Sequence, residues 1–152
     1  MAHTLNVTGE QYRAVGHMTL QWAFLEAEID REVVWLNRRS ATPVNLRSKF
    51  DDRAQRWLTL AKDIYAGHPE LIEGVSSVSY KAVAIKPERD KLVHCHLVSG
   101  GTMIRIRQGR VLEITDEGTA HHIEELARRI SKITEELFQH WGRLARVFDN
   151  PL

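Results

Sequence analysis

Eight apolar residues near the C-terminal end, Ile123, Leu126, Ile130, Ile133, Leu137, Trp141, Leu144 and Phe148, recur at steps of three and four without a break. Only a helix of 3.6 residues per turn lines them all up on one face, and such a face must be buried against other elements. Thr119 precedes the run as the expected N-cap. A long helix of the same kind opens the chain. Thr8-Gly9-Glu10-Gln11 has the form of a capping box, and behind it Tyr12, Val15, Trp22, Leu25, Ile29, Val33 and Leu36 keep a helical stripe as far as Thr42-Pro43. That helix is expected to run about 29 residues, or roughly 43 Å. Trp35 lies off the stripe and is read either as an extra core contact or as a partner-facing patch.

Between these ends the pattern stays mostly helical. A second helix is expected after Thr42-Pro43, burying Leu46, Phe50, Trp57, Leu60, Ala61 and Ile64. Gly67-His68-Pro69 closes it and starts a third with Leu71, Ile72, Val75 and Val78. Pro87 either kinks the third helix or begins a new one, and Arg89–Leu97 is helical in both cases, stopping at Ser99-Gly100-Gly101. Between Thr102 and Ile114 the period changes to two: Ile104 and Ile106 alternate with Arg105 and Arg107, Gln108-Gly109 turns, and Arg110-Val111-Leu112 continues. This predicts a β-hairpin whose isoleucine face packs on a helix. The expected fold class is all-α: an antiparallel bundle of about four to five helices, with a β-hairpin inserted before the last. No repeat, low-complexity tract or long linker divides it, so residues 1–152 are expected to form a single domain.

A chain of 152 residues buries enough surface to need no metal or disulfide staple. Its 21 basic and 20 acidic side chains nearly cancel, which argues against a nucleic-acid-coating protein but permits a local basic patch. The single cysteine, Cys95, suits a reducing compartment, and no apolar run approaches the ~18 residues of a membrane span. The expected location is the cytoplasm, with no membrane partner. Dinucleotide, phosphate-loop, Gly-x-Ser-x-Gly and Cys-x-x-Cys motifs are missing, which removes nucleotide-dependent oxidoreductases, NTPases and serine hydrolases.

The segment with chemical content is Arg89-Asp90-Lys91-Leu92-Val93-His94-Cys95-His96. On a helix Asp90 and His94 stand about 40° apart, so the carboxylate is placed to orient the imidazole. Arg89 stands roughly 140° from His94, so one helix in one chain does not bring both to the same atom. A symmetry-related copy could. Guanidinium suits phosphate oxygens and imidazole exchanges protons near neutrality, the pairing that phosphodiester chemistry needs. The alternative is a surface Arg–Asp pair beside a half-buried histidine.

Arg89-x4-His94, with a polar residue directly after the arginine, resembles the Arg-x4-6-His motif of HEPN-domain proteins. Trp22-Ala23-Phe24-Leu25-Glu26 in the first helix and Lys49-Phe50-Asp51 in the second are similar to the bacterial HEPN-like branch, as is the order of helix, motif, hairpin and final helix. The resemblance implies a homodimeric helical bundle in which two Arg/His sets line one cleft. It implies a metal-independent endoribonuclease of a toxin–antitoxin or phage-defence system, with RNA as substrate, an antitoxin protein as partner and no cofactor. Carried over, Arg89 binds the scissile phosphate, His94 transfers the proton and Asp90 orients His94. Many relatives have glycine after the histidine, where this chain has Cys95; His96 would satisfy the longer motif spacing.

Arg105, Arg107 and Arg110 add positive charge with no acid between Gly100 and Val111, either an RNA-backbone contact or a solvated hairpin face. His94, Cys95, His96, His121 and His122 lack a zinc spacing, so no metal site is assigned. Asp51-Asp52 and Glu124-Glu125 read as solvated faces, and Glu26 as an acid placed to reach a basic motif residue. The competing functional reading is a non-catalytic module that binds a partner protein or a nucleotide-like ligand.

Overall fold

The computed structural model describes residues 7–43, 49–97, 101–107 and 110–149. The chain is mostly helical, with a small antiparallel sheet before the last helix. Its elements are α1 (Gly9–Arg39), α2 (Phe50–Ile64), α3 (Pro69–His94), β1 (His96–Leu97), β2 (Met103–Arg107), β3 (Arg110–Thr115) and α4 (Ala120–Val147). The sequence-predicted Leu46, Ser99, Gly100, Gln108 and Gly109 lie outside the described residues. Among the described residues no helix is long and apolar enough to cross a membrane.

The expected caps form. The Thr8 Oγ1 accepts from the Gln11 backbone N–H at 3.1 Å while Gln11 Oε1 accepts from the Thr8 N–H at 2.9 Å. Thr119 Oγ1 accepts from the His122 N–H at 3.2 Å and starts α4. Helix α2 begins at Phe50, behind an extended Lys49 that makes no side-chain cap, with Asp51 and Asp52 complementing its positive end. Pro87 lies inside a continuous α3. The predicted helix over Arg89–Leu97 ends early, at His94. Cys95 bends the chain, and His96 and Leu97 pair with Ile104 and Met103 as a short third strand.

By internal contacts the chain divides into two compact units, Met1–Trp22 with Ile85–Ile130, and Ala23–Ala84 with Ser131–Leu152. The divisions fall within α1, α3 and α4 and not at a linker.

The first unit holds the sheet, in the order β1-β2-β3. The α1 stripe here is phased one residue from expectation: Gln11, Ala14, Met18 and Trp22 are buried, and Tyr12 is 66% exposed. Gln11 tolerates burial because its side-chain amide donates to the Gly118 carbonyl at 2.8 Å. The hairpin also turns the other way round. Ile104 faces Ile114 across the ladder, yet Ile114 and Val111 are 64% and 57% exposed, while Met103 is 2% exposed. The cause is Gly118, where an added Cβ would stand 2.7 Å from Met103 Cγ and 2.8 Å from Leu97 Cδ2. The missing side chain lets the Leu97/Met103 face pack there; on the other face Ile114 is exposed, Ile104 is half-buried and the Ile106 side chain lies outside the described residues.

The second unit packs Leu25, Ile29, Val33 and Leu36 of α1 with Trp57, Leu60 and Ala61 of α2, Leu71, Val75 and Val78 of α3, and Leu137 and Leu144 of α4, all buried. Trp35 takes the core reading: its ring lies 5.7 Å from that of Phe148 and 6.5 Å from that of Tyr65, and Arg39 stacks over it at 3.9 Å. The apolar stripes did not single out the unit's polar centre. Glu32 is fully buried, and its carboxylate accepts from Tyr65 Oη at 2.8 Å, from His140 Nε2 at 2.9 Å and from Trp141 Nε1 at 2.8 Å.

Candidate functional site

The motif lies at the C-terminal end of α3, within the first unit. An open cleft of about 340 Å³ is lined there by Pro87, Asp90, Lys91, His94 and Arg105. Helical spacing explains four of the five: Pro87, Lys91 and His94 recur at four and three residues, with Asp90 beside them. Arg105 comes from β2. It alternates with Ile104 and so shares the strand face of Met103, but where Met103 is buried Arg105 is exposed at the cleft. The strand face that carries Met103 is thus the one that brings a hairpin arginine to the motif helix. His94 is exposed, so its imidazole is open to a ligand.

Asp90 does not pair with His94 as the spacing predicted. Lys86 Nζ stands 3.1 Å from Asp90 Oδ2, and Arg89 Nη1 stands 2.7 Å from Asp90 Oδ1. No hydrogen bond or ion pair joins Asp90 to His94 among the described residues. Both carboxylate oxygens already hold cationic partners, which outcompete an imidazole four residues on.

Arg89 is set back from the cleft. Its guanidinium lies 4.5 Å from the centre of the Trp22 ring, its side chain is 18% exposed, and its Nε is buried without an acceptor. A weakly hydrated planar cation stacks well on indole, so Trp22 and Asp90 together fix it. This gives Trp22 a role that its place in the apolar stripe did not reveal. Glu26 pairs with Arg53 of α2 in the second unit.

Of the three hairpin arginines, the side chains of Arg105 and Arg110 fall among the described residues. Arg105 enters the cleft and pairs in register with Glu113. Arg107 stands opposite Arg110 at the far end of the ladder, where Arg110 is exposed; the Arg107 side chain lies outside the described residues. Lys91, which no motif singled out, does enter the cleft, with its Nζ 3.4 Å from Glu113 Oε1. Cys95 is beside Lys91, Arg105 and Glu113. Burial pushes its thiol up, and Glu113 adds to this against the opposing pull of Arg105 and Lys91. Among the described residues no three His, Cys, Asp or Glu side chains gather to hold a metal ion. His96 leaves the helix for β1, so the six-residue spacing does not put it on the α3 face that carries His94.

The arrangement places one exposed proton-exchanging group beside two cations, with a carboxylate held by two more. Such a group of side chains suits a phosphate ester. No family model, curated protein or solved structure matches this chain.

Proposed function

We propose that the chain is a HEPN-like, homodimeric, metal-independent endoribonuclease of a toxin–antitoxin or phage-defence system, with its helices assembled as the antiparallel bundle of that family. The observation that carries this reading is the cleft in which His94 stands open beside Asp90, Lys91 and Arg105. His94 takes the proton from a ribose 2′-hydroxyl. The 2′-oxygen then forms a bond to phosphorus and the bond from phosphorus to the 5′-oxygen breaks. The symmetry-related imidazole of a second copy gives the leaving oxygen its proton. The products are a 2′,3′-cyclic phosphate and a 5′-hydroxyl. Pro87 and His94, both exposed and about 20° apart on α3, face outward for that second copy. An RNA substrate sets the protein in the cytoplasm, with an antitoxin protein as its partner.

Purified protein incubated with cellular RNA in chelator tests the reading. General acid–base catalysis contributes about 10²–10⁴-fold, so His94→Ala should lose cleavage by at least ~100-fold. Unchanged cleavage in His94→Ala removes the histidine from the chemistry.

One observation favours a second reading, a non-catalytic module binding a partner protein or nucleotide-like ligand. The Arg89 guanidinium is committed to Trp22 and Asp90, and a binding module needs no motif arginine at a reacting centre. That reading predicts intact RNA, with ligand binding lost when the cleft is altered.

A further inference from the structure

We infer that Lys91 and Arg105, not the motif arginine, are the residues that hold the phosphate of an RNA chain in the His94 cleft, and that Glu113 holds the Lys91 charge when no RNA is bound. The inference rests on the functional reading above and names the part of the site that grips the substrate.

Three observations carry it. The first is access. Lys91 and Arg105 line the cleft with His94, whereas Arg89 does not, being stacked on Trp22 and mostly buried. The second is commitment. The Asp90 carboxylate holds Arg89 at 2.7 Å and Lys86 at 3.1 Å, so a phosphate would have to break a short ion pair to recruit Arg89. The contact of Lys91 with Glu113 is a long 3.4 Å, at a position where both side chains are 37% exposed. Such a contact is weak and solvent-screened, and is readily exchanged for an anion. The third is charge. Lys86, Arg89, Lys91 and Arg105 stand against Asp90 and Glu113, a local excess of cations on a chain of net charge +1.

The geometry divides the labour. One cation comes from the helix and one from the hairpin, on two elements that both reach the imidazole's cleft. A phosphodiester between them would have its oxygens neutralised while the neighbouring 2′-hydroxyl faces His94. Glu113 is the ion-pair partner of Lys91 and stands opposite Arg105 in the ladder, so its carboxylate competes with the phosphate for Lys91 and adds negative charge beside Arg105. Its removal should strengthen binding, which a purely structural carboxylate would not do.

The test is binding of the full-length protein to a short, uniformly 2′-O-methylated oligoribonucleotide, which has no 2′-hydroxyl to attack. Fluorescence anisotropy is read over a salt series. Lys91→Gln and Arg105→Gln should each weaken binding about three- to tenfold at low salt and lower the salt slope by about 0.7, the contribution of one phosphate contact on a single strand. Glu113→Gln should tighten binding about threefold, and Arg89→Gln should leave the slope unchanged. The inference is overturned if Lys91→Gln and Arg105→Gln bind as the wild type does, if the wild-type protein does not bind the probe at all, or if the slope falls in Arg89→Gln alone. Should Arg89→Gln fail to fold, the partly exposed Lys91 and exposed Arg105 still decide the matter. Cleavage of unmodified RNA is scored separately: binding that follows these rules without cleavage ends the nuclease reading and leaves the phosphate site standing.

Discussion

Replacing Glu32 with glutamine changes one atom's chemistry at the polar centre of the second unit, and the cost follows from the hydrogen bonds. The carboxylate accepts from Tyr65 and His140 on one oxygen and from Trp141 on the other. An amide keeps one accepting oxygen. If that oxygen faces Tyr65 and His140, the new NH2 points at the indole N–H and leaves a buried donor without an acceptor, costing about 1–3 kcal/mol. If it faces Trp141, His140 must take the proton on Nδ1, a buried nitrogen with no partner, at a similar cost. The surviving bonds also fall from charged to neutral acceptors, roughly 1 kcal/mol more for each. Glu32→Gln should therefore destabilise the protein by about 3–5 kcal/mol, a large share of the ~5–15 kcal/mol of a typical domain. With a urea m-value of about 2 kcal/mol/M, the unfolding midpoint should drop by about 2 M at unchanged slope. Tyr65→Phe, which removes a donor and leaves the carboxylate two, should cost less, about 1.5–3 kcal/mol. A Glu32→Gln midpoint near the wild-type value, or a larger loss in Tyr65→Phe, would refute the reasoning.

Burial, reinforced by the charge and hydrogen bond of Glu32, pushes the Tyr65 phenol well up. The native state therefore keeps a proton that the unfolded chain releases near pH 10. Stability from this group is complete below about pH 10 and declines above it, by at most about 1.4 kcal/mol per pH unit; urea titrations at alkaline pH should show this part of the decline missing in Tyr65→Phe. At Gly74 an added Cβ would stand 2.6 Å from His140 Nδ1, so Gly74→Ala must displace a fully buried ring. A melting-temperature shift equivalent to about 1–3 kcal/mol is expected, and an unshifted melt would mean that the ring moves freely. Because burial pushes the Cys95 thiol up, iodoacetamide should modify it more slowly at neutral pH than it modifies a free cysteine, with the rate rising only in alkaline buffer.

The helices were legible because their signals are local and repeated: the Thr8/Gln11 box, the Thr119 cap and the apolar run of α4 each specify an element within a few turns. The face of the hairpin was not. Alternation gives two faces but not which one is buried, and the room for the Met103 face comes from Gly118, just past β3 and without a side chain. A local competition separated Asp90 from His94, since Lys86, four residues earlier, and the adjacent Arg89 claim the carboxylate. The Glu32 centre did leave a trace. Glu32 falls on the α1 stripe beside Ile29, Val33 and Leu36, and His140 on the α4 stripe between Leu137 and Leu144. An acid and a histidine at core positions of two amphipathic helices are a pairing signal that apolar periodicity overlooks.

The proposed chemistry is tested most directly by the ends of the RNA fragments that the purified protein produces in chelator. Proton transfer by His94 from an internal 2′-hydroxyl predicts 2′,3′-cyclic phosphate and 5′-hydroxyl termini, both lost in His94→Ala. Fragments ending in 3′-hydroxyl and 5′-phosphate, or cyclic termini made as fast by His94→Ala as by the wild type, would contradict it.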